Sequence, residues 1–250
     1  MADWHEQAFG GLYPIVYAHR DVALAAREAA FAAECLALTP ADCVLDLGCG
    51  GGRHLVHTGG TVGFAVGLDF SEALLALAPR TLALVRADMR ALPFGETFDA
   101  AVSFFTSFGY FSREEDNEAA VAELARTLKP GGRFFIDYLN APYVERTLVP
   151  ESFRERDGYG IHERRWIDSV ARRVNKTVRV TRGEDVVSEW RESVRMYTDT
   201  EFRGMLRRNS LAVVHVFGDF DGSPLADERP RMILVGRKER IRCGTYWRTT

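Results

Sequence analysis

The stretch Val44-Leu45-Asp46-Leu47-Gly48-Cys49-Gly50-Gly51-Gly52-Arg53-His54 decides the fold. An apolar run of strand length enters a glycine cluster and leaves into a helical pattern. The chain can turn sharply there, with no Cβ between its backbone and a ligand. A crevice at the carboxyl end of a strand follows. The dinucleotide fingerprint G-x-G-x-x-G does not fit, because its third glycine, counted from Gly48, falls at Arg53. Asp46 stands just before the turn, where a carboxylate repels a pyrophosphate but attracts an ammonium group or a hydroxyl. The pattern favours a nucleoside carrying an amino acid over a dinucleotide; a glycine turn with no ligand is the bland alternative.

On both sides of this stretch, short apolar runs alternate with helical patterns. Strands are expected near 43–47, 62–68, 82–87, 98–104 and 132–138, and helices near 51–57, 71–78, 114–128 and 141–147. Residues 12–20 and the alanine-rich run 21–38, with Asp21 as N-cap, also read as helices. Such alternation predicts an α/β fold with a parallel sheet covered on both faces. After Pro150 the period changes to two: 152–157, 160–168, 172–181 and 185–196 read as a small antiparallel sheet with one wet face. A helix over 198–208 and strands 211–217 and 231–237 follow. Residues 1–150 and 197–240 are therefore expected to form one core, 151–196 an insertion, and 241–250 a peripheral tail.

The 250 residues are 46% hydrophobic, enough for one large α/β domain. No apolar run reaches the length of a membrane span and the start lacks the pattern of a secretory signal, which predicts a soluble, cytoplasmic protein. Cys35, Cys43, Cys49 and Cys243 have neither disulfide-framework nor zinc-site spacing and read as free thiols; no metal is expected. Charge is uneven, with 11 Lys+Arg against 19 Asp+Glu in residues 1–150 and 21 against 16 in 151–250. The basic half either faces an anionic substrate or decorates exposed strand faces, since acids interleave with it.

Two further acids stand at strand ends. Asp69 lies 19 positions after Gly50, near the offset at which a carboxylate meets a ribose diol, and Asp88 lies another 19 on. Asp88 is placed to accept from an exocyclic adenine amine while Met89 packs on the ring. One such acid is often only a helix cap; three on neighbouring strands of one sheet edge make a site.

These residues resemble the class I, Rossmann-like S-adenosylmethionine-dependent methyltransferases. Val44–Gly52 is similar to their glycine-rich first motif, Gly67-Leu68-Asp69-Phe70-Ser71 to the second and Asp88-Met89 to the third. Phe98–Phe104 resembles the fourth strand, and Leu128-Lys129-Pro130-Gly131-Gly132-Arg133-Phe134 the turn into the fifth. The resemblance covers roughly residues 10–140 and the closing strands. It implies a seven-stranded sheet of order 3-2-1-4-5-7-6 with strand 7 antiparallel. Segments 57–61 and 71–81 are shorter than usual in the family, so helix ends there stay open.

The likeness extends to bacterial small-molecule methyltransferases through Tyr13, Tyr17, His19 and Arg20 and through Thr106–Phe111. It implies S-adenosyl-L-methionine as cofactor, held by Tyr17, Arg20, Asp46, Gly48, Cys49, Gly50, Asp69, Phe70, Asp88, Met89 and Phe105. Arg20 suits the cofactor carboxylate or is a surface residue; Tyr13 and Tyr17 share a helical face, as a lid or as core packing. The acceptor side is expected from Phe105, Thr106, Ser107, Tyr110 and Phe111 with Asp137, Tyr138 and Asn140. Tyr110 and His19, with His54, are the candidate proton acceptors. Insertion residues Arg154, Arg156, His162, Arg164, Arg165, Trp166 and Arg191 would suit a phosphorylated or carboxylated acceptor, or water.

A small-molecule acceptor, methylated on N or O by in-line transfer, is the expectation. A nucleic-acid methyltransferase is the first rival; the net charge of −3 and the sequence Ser103-Phe104-Phe105-Thr106, in place of an Asn/Asp-Pro-Pro-aromatic element, speak against it. A non-catalytic module sensing the cofactor or its demethylated product is a rival of another class.

Overall fold

The computed structural model describes residues 12–17 and 22–240. Two helices come first, α1 (Tyr13–Val16) and α2 (Val22–Cys35). The main body then runs through β1 (Cys43–Leu47), α3 (Leu55–Gly59), β2 (Phe64–Asp69), α4 (Glu72–Leu75), β3 (Ala83–Arg86), β4 (Phe98–Ser103), α5 (Glu114–Thr127), β5 (Leu128–Leu139) and α6 (Ala141–Thr147). A hairpin series follows, β6 (Glu151–Arg156), β7 (Tyr159–Asp168), β8 (Arg173–Arg182) and β9 (Asp185–Arg195). The chain closes with α7 (Asp199–Arg208), β10 (Leu211–Phe217) and β11 (Arg231–Lys238).

Seven strands form one sheet in the order β10-β11-β5-β4-β1-β2-β3. With β10 and β11 counted as the sixth and seventh strands of that sheet, this is the expected 3-2-1-4-5-7-6. β11 runs antiparallel to both β5 and β10, and the other pairs are parallel. Alternation along the strands loads both faces. Val44, Ala100, Val102, Phe135 and Ile233 pack beneath Ala32 of α2 and Leu36 just beyond its end. Leu45, Leu47, Ala101, Phe134 and Ile136 pack with Val121 and Leu124 of α5 and Phe202 and Leu206 of α7. Each fully buried side chain of this size contributes roughly 1.5–3 kcal/mol, which fixes the register because a one-residue slip would exchange the faces.

Local chemistry sets the helix ends. Glu114, Glu115 and Asp116 occupy the first turn of α5, where the exposed N–H groups favour negative charge. Thr198 and Glu201 form a reciprocal capping box at α7. The helix expected at 51–57 starts only at Leu55, because Gly50 and Gly52 have positive φ and extend the turn. The helix expected at 71–78 shortens to Glu72–Leu75, capped by Ser71. The fifth strand reaches back to Leu128, with an irregularity in its pairing between Phe98 and Ala100.

β6 to β9 form a separate antiparallel sheet in sequence order. Its Ile161, Val178, Val180 and Trp190 pack on Val16 and Tyr17 of the N-terminal segment. It is stitched to the loop after β4 through Arg195 N–H donating to Gly109 O (2.8 Å). Among the described residues no helix is long and apolar enough to cross a membrane.

Candidate active site

The carboxyl ends of β1, β2, β3 and β4 open into a cavity of about 680 Å³, with the β8–β9 edge of the small sheet above it. Its floor is the glycine turn. Gly48 has φ 78°, and a Cβ there would lie 2.5 Å from Ser107 Oγ, so no other residue fits without moving the loop after β4. Asp69, at the end of β2, accepts from Gly50 N–H through Oδ2 and from Ser71 N–H through Oδ1, both at 2.8 Å. Its carboxylate ties the turn to the next strand and keeps lone pairs for a diol. Burial pushes the Asp69 carboxyl up, and the backbone bonds hold it back.

Gly48, Cys49, Gly50, Asp69, Phe70, Asp88, Met89, Phe105 and Tyr110 all line this cavity. Burial raises the Cys49 thiol further above its ordinary range, so it stays a neutral wall. Asp88 is gripped by Arg90, whose Nη2 lies 2.7 Å from Oδ2; the same guanidinium reaches Asp116 at 3.4 Å and stands 4.5 Å over Phe111. Asp46 is not in the lining. It lies at the end of β1, 1% exposed, and its Oδ2 has no hydrogen-bond partner among the described residues.

Tyr17 stands elsewhere. Its hydroxyl donates to Glu192 and accepts from Lys176 on the small sheet. His19 and Arg20 lie outside the described residues, as do Asp21, the expected N-cap, Cys243 and the tail 241–250. His54 lines the cavity, stacked on Phe104 at 4.0 Å with Nε2 2.6 Å from Glu28 Oε2. Burial takes its imidazole down to about 4, against the Glu28 hydrogen bond. It is therefore neutral near pH 7, and that bond assigns Nε2–H as donor.

The strand β4 leaves into two successive left-handed residues, Phe105 (φ 57°) and Thr106 (φ 60°). Each costs roughly 1–2 kcal/mol outside glycine, more for β-branched threonine. Phe105 N–H donates to Asp137 Oδ2 (2.8 Å) and Thr106 N–H to the Asp137 main-chain oxygen (2.9 Å). Arg231, at the start of β11, donates from Nε to Asp137 Oδ1 (2.5 Å) and from Nη2 to Thr106 Oγ1 (3.3 Å). Two guanidinium groups stand near the Phe105 ring, Arg53 at 4.1 Å and Arg231 at 5.4 Å from its centre.

Residues 44–132 match the family model described as a methyltransferase domain. The dTDP-3-amino-3,4,6-trideoxy-alpha-D-glucopyranose N,N-dimethyltransferase of Streptomyces venezuelae is 35% identical over 179 residues, covering 70% of this chain and 68% of that protein. The chain belongs to the S-adenosylmethionine-dependent methyltransferases. A second relative, the dTDP-3-amino-3,6-dideoxy-alpha-D-glucopyranose N,N-dimethyltransferase of Streptomyces fradiae, is 32% identical over 44% of this chain and 41% of its own length. Among solved structures, DesVI of Streptomyces venezuelae superposes with a TM-score of 0.67 at 27% identity over 90% of this chain and 96% of its own. An S-adenosylmethionine-dependent methyltransferase of Clostridium acetobutylicum gives 0.78 at 16% identity over 91% and 96%, a likeness of fold.

The methyltransferase uses S-adenosylmethionine, and its residues suit that group. The unpartnered Asp46 oxygen provides an anion near the glycine turn for an ammonium, the Gly48 turn leaves room for a backbone approach, and Asp69 offers acceptors to hydroxyls. Sequence reasoning missed Arg90, Arg173 and the pairing of Arg231 with Asp137. Arg173 spans five acceptors, among them the main-chain oxygens of Gly109 (3.1 Å), Tyr110 (3.2 Å) and Phe111 (3.0 Å), and so holds the loop that carries Tyr110. Asn117 of α5 braces the same loop through Phe111 and Arg113. Only Arg90 had a local signal, its place two residues after Asp88.

Proposed function

We propose that this methyltransferase acts on an amine of a small polar acceptor, an amino sugar being the first candidate, beneath the small sheet. The buried, unpartnered Asp46 oxygen beside the glycine turn carries the cofactor half of the reading. The acceptor half is supported by the two relatives named for N,N-dimethylation of dTDP-linked amino sugars. Arg173 and Arg191 line the cavity from β8 and β9, in keeping with an acceptor that bears negative charge. In this reading the segment 151–196, set between the core portions 1–150 and 197–240, closes over the acceptor.

When bound, S-adenosylmethionine supplies a methyl group on a positively charged sulfur, open to in-line displacement by a nucleophile. Asp46 holds the ammonium, Asp69 the ribose hydroxyls, and Asp88 with Met89 and Phe70 the adenine side; Gly48, Cys49 and Gly50 form the bed, and Phe105 the wall. Arg20 takes the cofactor carboxylate, while Tyr17 anchors the N-terminal segment to the small sheet. Tyr110, braced by Arg173, accepts a hydrogen bond from the acceptor amine and so orients it; the ammonium formed on transfer then releases a proton, for which Tyr110 as phenolate and His19 are the candidate acceptors. His54 is a poor base, neutral and committed to Glu28. The free thiols Cys35, Cys43 and Cys49 agree with a cytoplasmic setting.

The experiment is a screen for S-adenosylhomocysteine release with sugar amines, simple amines, phenols, carboxylates and small RNAs. Turnover confined to amines is the expected result. Turnover on RNA alone, with steep salt dependence, would replace this acceptor with a nucleic acid.

A further inference from the structure

The loop after β4 departs from the rest of the sheet edge in one respect. Two of its cavity-lining residues, Phe105 and Thr106, are bulky, yet both have positive φ. Such a conformation persists only where the surroundings determine it. Asp137 and Arg231 supply that determination from two other strands. The Asp137 side chain is fully buried and that of Arg231 is 19% exposed. Between them they bind the Phe105 amide and the Thr106 hydroxyl, and Arg231 lies against the Phe105 ring; the Asp137 main chain takes the Thr106 amide.

We propose that Asp137 and Arg231 are a positioning pair that holds Phe105 and Thr106 left-handed and so sets the wall of the cofactor cavity. The inference rests on reading that cavity as the S-adenosylmethionine site. A pair serving stability alone would be replaceable by apolar side chains of like volume, as buried ion pairs often are. A positioning pair would not be, because Phe105 N–H would lose the Asp137 carboxylate it donates to and Thr106 Oγ1 the Arg231 donor. Arg231 itself lines a second, more open cavity beside α6 and β6, while the residues it holds, Phe105 and Thr106, line the first.

The test is the full-length Asp137→Leu/Arg231→Met double variant, which leaves no buried charge unpaired, together with Arg231→Lys. Two quantities are read: S-adenosylhomocysteine affinity by calorimetry, and hydrogen exchange at individual amides. We expect the double variant to fold and to bind S-adenosylhomocysteine on the order of tenfold or more weakly, the scale of a wall displaced by about 1 Å. Arg231→Lys should recover part of that loss. The Phe105 amide should exchange at least about tenfold faster, since its acceptor is gone, while the Thr106 amide keeps a main-chain acceptor and serves as internal control. A folded double variant with wild-type affinity, or with an equally protected Phe105 amide, overturns the proposal. Wild-type protein that fails to bind S-adenosylhomocysteine would sink the cofactor reading instead, and the exchange measurement would still decide the role of the pair in the turn.

Discussion

Asp46→Asn should make the empty enzyme more stable and its cofactor site weaker. Burial, and after it the nearby Asp69 carboxylate, push the Asp46 carboxyl from its ordinary 3.8 to about 7, against Arg53. Below pH about 4 the group is neutral in folded and unfolded chains alike. Between about 4 and 7 the unfolded chain releases its proton while the folded chain keeps it, so stability falls as pH rises. Above 7 the whole difference, some three units at about 1.4 kcal/mol each, amounts to at most about 4 kcal/mol. Asparagine has no charge to desolvate, but a buried amide lacking partners costs roughly 1–3 kcal/mol. The balance at pH 8 is a gain of about 2 kcal/mol, or about 4–8 °C in melting temperature for a chain of this size. At pH 4 there is no charge to desolvate and the amide's cost remains, so the variant should be the less stable by roughly 1–3 kcal/mol.

With saturating ligand the gain at pH 8 is largely offset, because a charge-assisted bond to the ammonium is lost. That is roughly 1.5–3 kcal/mol, or about 10- to 150-fold in affinity. Thermal unfolding followed by circular dichroism at pH 4 and pH 8, alone and with S-adenosylhomocysteine, reads both halves. Equal melting temperatures of variant and wild type at pH 8 would refute the buried charge. Unchanged affinity would refute its contact with the ammonium.

Wild-type affinity for S-adenosylhomocysteine should rise from pH 5.5 to 8 as Asp46 ionises around 7, and the rise should be absent in Asp46→Asn; calorimetry across that range checks it. Asp69→Ala, which strips the Gly50 and Ser71 amides of their acceptor as well as the ribose, should weaken the same binding by about 1–3 kcal/mol; wild-type affinity would remove the ribose assignment. Tyr110→Phe should slow turnover on any amine acceptor while leaving S-adenosylhomocysteine affinity alone, and equal losses in both would put that hydroxyl at the cofactor. Gly48→Ala forces a Cβ to within 2.5 Å of Ser107 Oγ at φ 78° and should cost roughly 1–3 kcal/mol of stability, read by urea denaturation, along with most cofactor binding.

The fold was legible because the signals that set it are short in range. Apolar runs such as Val44–Leu47 and Ala100–Val102 are buried on both faces, and the hairpin series after Pro150 carries its period of two in its own residues. Strand order came from the family resemblance, since nothing local in Arg231–Lys238 tells that β11 slots beside β5. Helix ends were the least legible, and α3 shows why. Composition over 51–57 suits a helix, but positive φ at Gly50 and Gly52 keeps the backbone in the turn until Leu55.

Around the cavity, residues whose place depends on their own strand end were readable, and residues whose place depends on a distant partner were not. Gly48, Asp69 and Asp88 announce themselves by type and spacing. Arg231 does not, because its meaning comes from Asp137, 94 positions earlier, and from Thr106, 125 positions earlier. A left-handed Phe-Thr pair has no sequence signature at all, since these are residue types the conformation disfavours. Yet the two halves belong together. Ser107 reaches the floor at Gly48 directly after that left-handed pair, and Gly48 can accept it only because it lacks a Cβ. The glycine that sequence shows plainly is thus one side of a contact whose other side is held by an ion pair that only the folded chain assembles.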